Sequence, residues 1–345
     1  MTRATQKDVA RRAGVSRSTV SYVLNDQIDL KIPISDETRQ RVMKAIAELG
    51  YEPDARAQSL RRGDTKIVAV ILPVIQNPFF WQILSGISDA LQDAGYSLHL
   101  VHHPLNEQQE ANTIRELKRQ RVDGFILLAA VKYLLPRLTD YLRKAGRPAV
   151  EITSTRAEFD HVVHGYSSGT RELMTHLLQL GHRRIGFVYG TAKEVQGHDR
   201  LLAYREMLQE AGIENHQKFE MHCGENLEDA YQAAYALLNR ADRPTALLVI
   251  NDMLAIAAMR AAGDLGLSIP SDVSVAGFDD IQFSNYILPR LTTVSGKAEE
   301  SGRAAVRLLL NRFAEPELPQ QVTTAEVQLI VRESTGPVPM PEKNE

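Results

Sequence analysis

Arg17, Ser18, Ser21 and Tyr22 sit at offsets that share one outward helical face. Their chemistry is that of groups that read a nucleic-acid base edge. A guanidinium can hold the O6 and N7 of a guanine as a bidentate pair, worth about 1–3 kcal/mol of discrimination. Two roles stay open for Arg17, a base contact or a phosphate contact. Two also stay open for Tyr22, which can lie against a thymine methyl or simply cover its helix. Ser16 and Thr19 stand nearer the duplex backbone, and Thr5 and Asn25 suit phosphates better than bases.

The elements that would position these groups are legible around them. Thr5 is a good N-cap, with Asp8 three residues on in a variant of the capping box. Val9, Ala10 and Ala13 share one face. Gly14 follows, where a helix must end in a left-handed residue and reverse. Ser16 caps a second helix whose inner face is Val20, Val23 and Leu24. Small Ala10 lets the two helices cross closely. This is a helix-turn-helix, whose second helix enters the major groove by its N-terminal part. An αα-hairpin of another helical domain is the alternative. A third helix is expected over Ser35–Leu49, with Val42, Ala45, Ile46 and Leu49 inside and Gly50 at its end. Residues 51–65 hold Pro53 and Asp54 ahead of about eight residues that make either a marginal two-turn helix or a plain linker.

Charge divides along the same line. Residues 1–62 carry 12 Lys+Arg against 8 Asp+Glu, a net +4; the remaining residues carry 28 against 35, a net −7. A small basic head on an acidic body points to a polyanion partner for the head. The whole chain, 345 residues with 43% hydrophobic and 24% charged, has room for two or three domains. That composition excludes a mostly disordered chain. The longest apolar run, Ile67–Val74, is broken at Pro73 and is far short of a membrane span. The N-terminus has no apolar core of a secretory signal. The lone Cys223 leaves no internal disulfide and fits a cytoplasmic setting.

From Lys66 the pattern alternates. Strands are expected at Lys66–Leu72, Ser97–His102, Gly124–Leu128, Ala149–Ile152, Ile185–Tyr189, Ala246–Ile250 and Val273–Gly277. Helices are expected at Phe79–Asp93, Glu107–Arg119, Tyr133–Lys144, Ser168–Leu180, Arg200–Glu210, Glu228–Asn239 and Met253–Leu265. Such alternation means parallel sheets covered by helices, in two sets and hence two lobes. Ligands of open α/β sheets sit beyond the carboxyl ends of the strands. That rule selects Gln76, Asn77 and Phe80 after the first strand, Arg200 at the end of the loop after Tyr189, Asn251 after Ile250, and Asp279 after Gly277. Asn251, Asp279 and Arg200 offer donor, acceptor and charge, which suits a polyhydroxylated ligand, and Phe80 can stack on its apolar face. Asp279 as a turn cap and Arg200 as an interlobe ion pair are the plainer alternatives.

Catalytic chemistry finds no motif. There is no Gly-x-Gly-x-x-Gly, no Walker Gly-x-x-x-x-Gly-Lys-Ser/Thr and no Gly-x-Ser-x-Gly. His102-His103, His161 and His164 lack further ligands at metal spacing, and His222-Cys223 stands isolated. No catalytic residue, metal site or cofactor is expected, and the chain is not read as an enzyme. A periplasmic sugar-binding protein would share the body but needs a signal peptide and has no helix-turn-helix.

Gln6-Lys-Asp-Val-Ala-Arg-Arg-Ala-Gly-Val-Ser-x-x-Thr-Val-Ser, Ala45-Ile-Ala-Glu-Leu-Gly-Tyr-Glu-Pro and Ala57-Gln-Ser-Leu60 resemble the lactose/galactose repressor family of bacterial transcription regulators. The likeness continues through Asn77-Pro-Phe-Phe, Arg121-Val-Asp-Gly, Gly181-His-Arg-Arg-Ile-Gly, Asn251-Asp, Gly277-Phe-Asp-Asp and Leu329-Ile-Val-Arg-Glu-Ser-Thr, over nearly the whole chain. The resemblance implies a small all-α helix-turn-helix head with a hinge helix, plus an α/β periplasmic-binding-protein-like body of two doubly wound lobes. Its domains would be 1–50 for the head, 51–65 for the hinge and 66–345 for the body. The N-lobe would take about 66–165 plus 295–324, and the C-lobe about 166–294 plus 325–337. It implies a homodimer on a near-palindromic double-stranded DNA operator, mostly as a repressor, with a small-molecule effector in the interlobe cleft. Leu60 would be a wedge in the minor groove beside Ala57, with Arg56 near phosphate or the groove edge.

Some positions depart from the family pattern. The Asn25–Ser35 loop is a few residues longer than usual, and Tyr22 stands where operator reading varies between members. Glu194 falls where the purine-binding branch has a basic residue, and Gly296 stands where many members carry a glutamine. With Glu151 near the cleft, the pocket reads as acidic and polar. A neutral sugar or polyol is the expected effector. The C-terminal residues show no leucine heptad, so a coiled-coil tetramer is not expected.

Overall fold

The computed structural model describes residues 4–24, 34–51, 64–72, 77–102, 106–128, 134–153, 157–190, 198–214, 216–224 and 226–339. Asn25, Arg56, Ala57, Leu60, Gln76 and Glu194, with nearly all of the expected hinge, lie outside them. The chain divides into two units, Met1–Thr65 and Lys66–Glu345.

In the first unit α1 (Gln6–Ala13), α2 (Arg17–Leu24) and α3 (Asp36–Leu49) surround a core of Val9, Ala10, Ala13, Val20, Val23, Val42 and Ala45. Leu24, Ile46 and Leu49 pack on its margin. Gly14 has φ 67°, and the chain reverses with the Val15 N–H on the Ala10 carbonyl at 3.0 Å. The left-handed residue expected there is thus present, and the 6→1 bond of a Schellman turn closes α1. The Ser35 hydroxyl accepts from the Thr38 N–H at 3.3 Å and starts α3. Arg12 reaches Glu48 at 2.7 Å from α1 to α3. Both ends are well exposed, so the bond is worth about 1 kcal/mol or less.

The second unit holds two six-stranded sheets. Five strands of the first alternate with α4 (Pro78–Asp93), α5 (Glu107–Gln120) and α6 (Pro136–Lys144): β1 (Ile67–Leu72), β2 (Ser97–His102), β3 (Gly124–Leu127), β4 (Ala149–Thr153) and β5 (Asp160–His164). After α7 (Tyr166–Gln179) the second set runs β6 (Ile185–Tyr189), α8 (His198–Glu210), β7 (Glu220–His222), α9 (Leu227–Leu238), β8 (Ala246–Val249), α10 (Asp252–Asp264), β9 (Ser274–Asp279) and β10 (Thr292–Ser295). Then α11 (Ala298–Ala314) packs on α4, while β11 (Val322–Ala325) and β12 (Gln328–Ile330) close the two sheets. The strand orders are β11-β5-β4-β3-β1-β2 and β12-β10-β9-β8-β6-β7. Among the described residues every strand pairing is parallel except β10 with β12. The buried runs of β1, β3, β8 and β9 explain this, since strands covered on both faces read as continuous apolar segments.

Because β11 and α11 belong with the first sheet, the chain passes between the sheets three times, at 164–166, 295–298 and 325–328. The first and third passages touch, with the Gly165 N–H on the Ala325 carbonyl at 3.2 Å.

The expected doubly wound lobes are present, with several differences in detail. The alternation in the sequence marks no strand at β5 or β7 and no element beyond Gly277, where the structure has them. β5 reads Asp-His-Val-Val-His, and its polar residues hide a strand whose Asp160, Val162 and His164 are buried. β7 spans only three residues. Helix α6 begins at Pro136 rather than Tyr133; proline fits the first helical turn and not the interior. β9 runs to Asp279 rather than ending at Gly277, so Asp279 is a strand end and not a loop residue.

Candidate nucleic-acid interface and interlobe cleft

On α2, Ser16 serves as the cap, with the Thr19 N–H on its hydroxyl at 3.0 Å. The same hydroxyl lies 2.7 Å from that of Ser18 and 2.8 Å from that of Thr19. Three hydroxyls therefore cluster at the amino end of α2, where the unpaired N–H groups favour an anion. Arg17 and Ser18 are exposed, and Ser21 and Tyr22 are partly covered beside buried Val20 and Val23. The backbone thus presents Arg17, Ser18, Ser21 and Tyr22 away from the core. The Thr5 hydroxyl and N–H both donate to Asp8, at 2.6 and 3.0 Å. These bonds hold the Asp8 carboxyl below the usual carboxylate range. The Thr5 proton would have to leave Asp8 to reach a phosphate.

The cleft gathers around Asp279. Its two oxygens accept from the Asn77 amide at 2.9 Å and the Tyr166 hydroxyl at 3.0 Å. Asn77 also caps α4 through the Phe79 N–H at 3.0 Å, so one side chain starts a first-lobe helix and holds a second-lobe carboxylate. Asp279 has φ 104°, a left-handed conformation that costs about 1–3 kcal/mol for a residue with a side chain and persists only where its surroundings enforce it. Burial pushes its carboxyl up, while the Arg200 charge and the bonds from Asn77 and Tyr166 oppose that shift.

The Arg200 guanidinium lies 3.8 Å from the centre of the Tyr166 ring and 5.0 Å from that of Phe278. It donates to the Ile250 carbonyl. His164 stacks on Tyr166 at 5.3 Å and meets Phe79 at 5.5 Å. Burial, then the Arg200 charge, lower the His164 pKa from 6.5 to about 3, so its imidazole is neutral. Two buried polar atoms of this group, Nε2 of His164 and Nε of Arg200, have no hydrogen-bond partner. Asn251 caps α10 by accepting from the Leu254 N–H at 2.9 Å.

Beside Asp279, the fully buried Asp252 accepts from the Ile281 N–H (3.0 Å), the Ser284 hydroxyl (2.7 Å) and the Thr293 hydroxyl (2.6 Å). Burial and the neighbouring Asp279 charge push it up to about 8, against the pull of those three donors.

Asn77, Arg200 and Asp279 therefore meet in one cluster. Phe80 is partly covered and edge-on to Phe79 at 5.8 Å; Phe79, not Phe80, is the ring against His164. Glu151, expected near the cleft, is wholly buried and accepts from the N–H groups of Glu158 and Phe159 at 2.7 and 2.9 Å, securing a turn. Sequence reasoning missed Tyr166, His164, Phe79 and Asp252 as members of this site. Their signal was weak: His164 and Tyr166 straddle an interlobe passage with no periodicity to mark it. Among the described residues no group of three His, Cys, Asp or Glu is placed to hold a metal, and no helix is long and apolar enough to cross a membrane.

Comparison with known proteins decides the family. Residues 5–54 match the family model described as bacterial regulatory proteins, lacI family, and residues 174–335 match the periplasmic binding protein-like domain. The ribose operon repressor of Haemophilus influenzae is 31% identical over 333 residues, covering 96% of this chain and 98% of that protein. The chain belongs to the lacI family. The HTH-type transcriptional repressor PurR of Edwardsiella ictaluri is likewise 31% identical, over 97% of this chain and 98% of that one. Among solved structures, the lac repressor dimer bound to operator and the anti-inducer ONPF superposes with TM-score 0.85 at 28% identity, covering 97% of this chain and all of that one. The transcriptional regulator CelR–cellobiose complex gives 0.71 at 30% identity, over 96% and 100%. This lacI-family chain is a DNA-binding transcriptional regulator with a helix-turn-helix head and a two-lobed periplasmic-binding-protein-like body.

Proposed function

We propose that the protein is a repressor that binds a palindromic operator as a homodimer and is controlled by a neutral sugar or polyol in the interlobe cleft. The observation that carries the effector reading is the pair of buried, unpartnered polar atoms, His164 Nε2 and Arg200 Nε, on side chains packed against the Tyr166 ring, whose hydroxyl holds Asp279. A buried polar atom without a partner costs about 1–3 kcal/mol, and a hydroxyl-rich ligand supplies what is missing. The partly covered Phe80 ring, edge-on to Phe79, offers the apolar face that a pyranose or furanose needs. Solved relatives hold cellobiose and ribose.

Base reading falls to Arg17, Ser18, Ser21 and Tyr22, and backbone contacts to Thr5, Ser16, Thr19 and Asn25. The hinge over 51–65 inserts Leu60 beside Ala57, with Arg56 at the phosphates. Gln76, Asn77, Phe80, Glu194, Arg200, Asn251 and Asp279 contact the effector. We assign 1–50 to the head and divide 66–345 into lobes at the passages between the sheets. A patch of exposed Phe283, Tyr286 and Leu288 on the body supports the dimer, since large exposed apolar groups in one place mark contact surfaces. The protein works in the cytoplasm, at the nucleoid, without catalysis and without a cofactor.

Calorimetric titration against a sugar panel and against purines tests the effector class. Micromolar or tighter binding of one sugar is expected, and tight binding of guanine or hypoxanthine overturns it. Leu60→Ala is expected to weaken operator binding and reduce the DNA bend in a gel-phasing assay, and an unchanged bend refutes the wedge.

A further inference from the structure

Tyr166 is the first residue of α7, at the end of the first passage between lobes, and only 1% of it is exposed. A tyrosine buried this fully needs a partner for its hydroxyl, and it has one in Asp279. Its ring carries the Arg200 guanidinium and the His164 imidazole and meets Phe278 edge-on at 5.9 Å. The second passage carries Gly296. A Cβ there would run into the Tyr166 hydroxyl and lie 3.1 Å from Cζ of that ring and 3.2 Å from the Phe79 ring. Gly296 has no positive φ to explain it, so the requirement is for space. Any side chain at 296 displaces the hydroxyl from Asp279 or pushes Phe79 away.

We infer that Tyr166 is a positioning residue of the effector site, that it fixes the Asp279 carboxylate between the two lobes, and that position 296 is glycine to make room for it. The inference rests on the reading of this cleft as the effector site. Asp279 holds a backbone conformation that side chains disfavour, and its two oxygens are tied to different lobes, one to Asn77 and one to Tyr166. An effector that bonds Asp279 therefore meets an acceptor already oriented. Loss of the Tyr166 bond frees the carboxylate to turn toward Arg200 and away from the ligand. The charged or titratable groups facing Asp279 are Arg200 of α8, Asp252 of α10 and Tyr166 itself, with His164 of β5 behind the Tyr166 ring.

The test uses the full-length protein in four forms: unaltered, Tyr166→Phe, Gly296→Ala and the double variant. One arm follows the Asp279 carboxyl carbon by NMR in aspartate-labelled protein, assigned by its loss in Asp279→Asn. Each single substitution is expected to raise the Asp279 titration midpoint, and the double variant is expected to match Tyr166→Phe, because both remove the same bond. The second arm titrates D-ribose and cellobiose. Gly296→Ala is expected to weaken the sugar that binds by tenfold or more, and adding Tyr166→Phe to recover at least threefold by relieving the clash. An unmoved midpoint in Tyr166→Phe, or strictly additive effects of the two substitutions, overturns the inference. If neither sugar binds the unaltered protein, the effector reading for those sugars fails, while the carboxyl arm still decides the role of Tyr166.

Discussion

In the head, the side chains assigned to base reading fall within residues 17–22, on the outside of an eight-residue helix that needs only Val20 and Val23 inside. In the cleft, Asn77, Tyr166, Arg200 and Asp279 arrive from four distant segments, and Asn77, Tyr166 and Asp279 are buried. The contrast follows from the targets. A duplex is large and charged and stays outside the protein, so its readers can be local and exposed. A small molecule must be surrounded, so its readers come from both lobes and are part of the packing. Substitution in the head should therefore change binding and spare stability, whereas substitution in the cleft should change both.

Salt separates the two regions most sharply. Raising it from 50 to 200 mM is expected to cost operator affinity about 10³–10⁵-fold if 6–10 phosphates are contacted. Affinity for a neutral sugar is expected to stay within about twofold, since a buried site is screened little. Paired measurements by fluorescence anisotropy and calorimetry check this, and equal salt dependence at both sites would erase the contrast.

Asp252→Ala comes next. It strands three donors, and the Ile281 N–H cannot turn away. Chemical denaturation of the body should show a loss of at least about 1–3 kcal/mol. Arg17→Ala is expected to leave unfolding within about 0.5 kcal/mol. It should relax preference at one base pair in each half-site by about 1–3 kcal/mol, read from selected sequences. Uniform weakening across sequences would instead mark Arg17 as a phosphate contact.

A histidine titration belongs to the body alone, because residues 1–62 contain no histidine. His164 is neutral in the folded protein down to about pH 3, but its unfolded form takes a proton below 6.5. The unfolded state then binds more protons, so the stability present above pH 6.5 is lost as pH falls toward 3. Relative to His164→Phe, the unaltered protein is expected to lose up to about 1.4 kcal/mol per pH unit in that window. His176 and His182 are also lowered by burial, but they remain in both proteins and cancel. Parallel stability curves would remove His164 from the buried cluster.

The same contrast governs what the sequence made legible. Ala10, Gly14, Ser16, Val20 and Val23 constrain one another over fourteen positions, so their spacing alone indicates the helix-turn-helix and its outward face. Asn77, Arg200 and Asp279 were reachable because they lie at or near the carboxyl ends of apolar strands. Tyr166, His164 and Phe79 were not, because their roles exist only once two lobes meet. Gly296 was noticed only as a departure, and its physical reason, the Tyr166 hydroxyl, appears in three dimensions alone. The strands β11 and β12 span four and three residues, too few to show an alternation.

The most direct test of the whole account is selection of duplexes from a random library by the full-length protein, followed by anisotropy on the winning sequence with and without each sugar of the panel. The account predicts a near-palindromic winner whose affinity one sugar shifts about 5–150-fold, the range of a 1–3 kcal/mol coupling. Retention of duplexes without sequence preference, or an affinity that no small molecule moves, would contradict it.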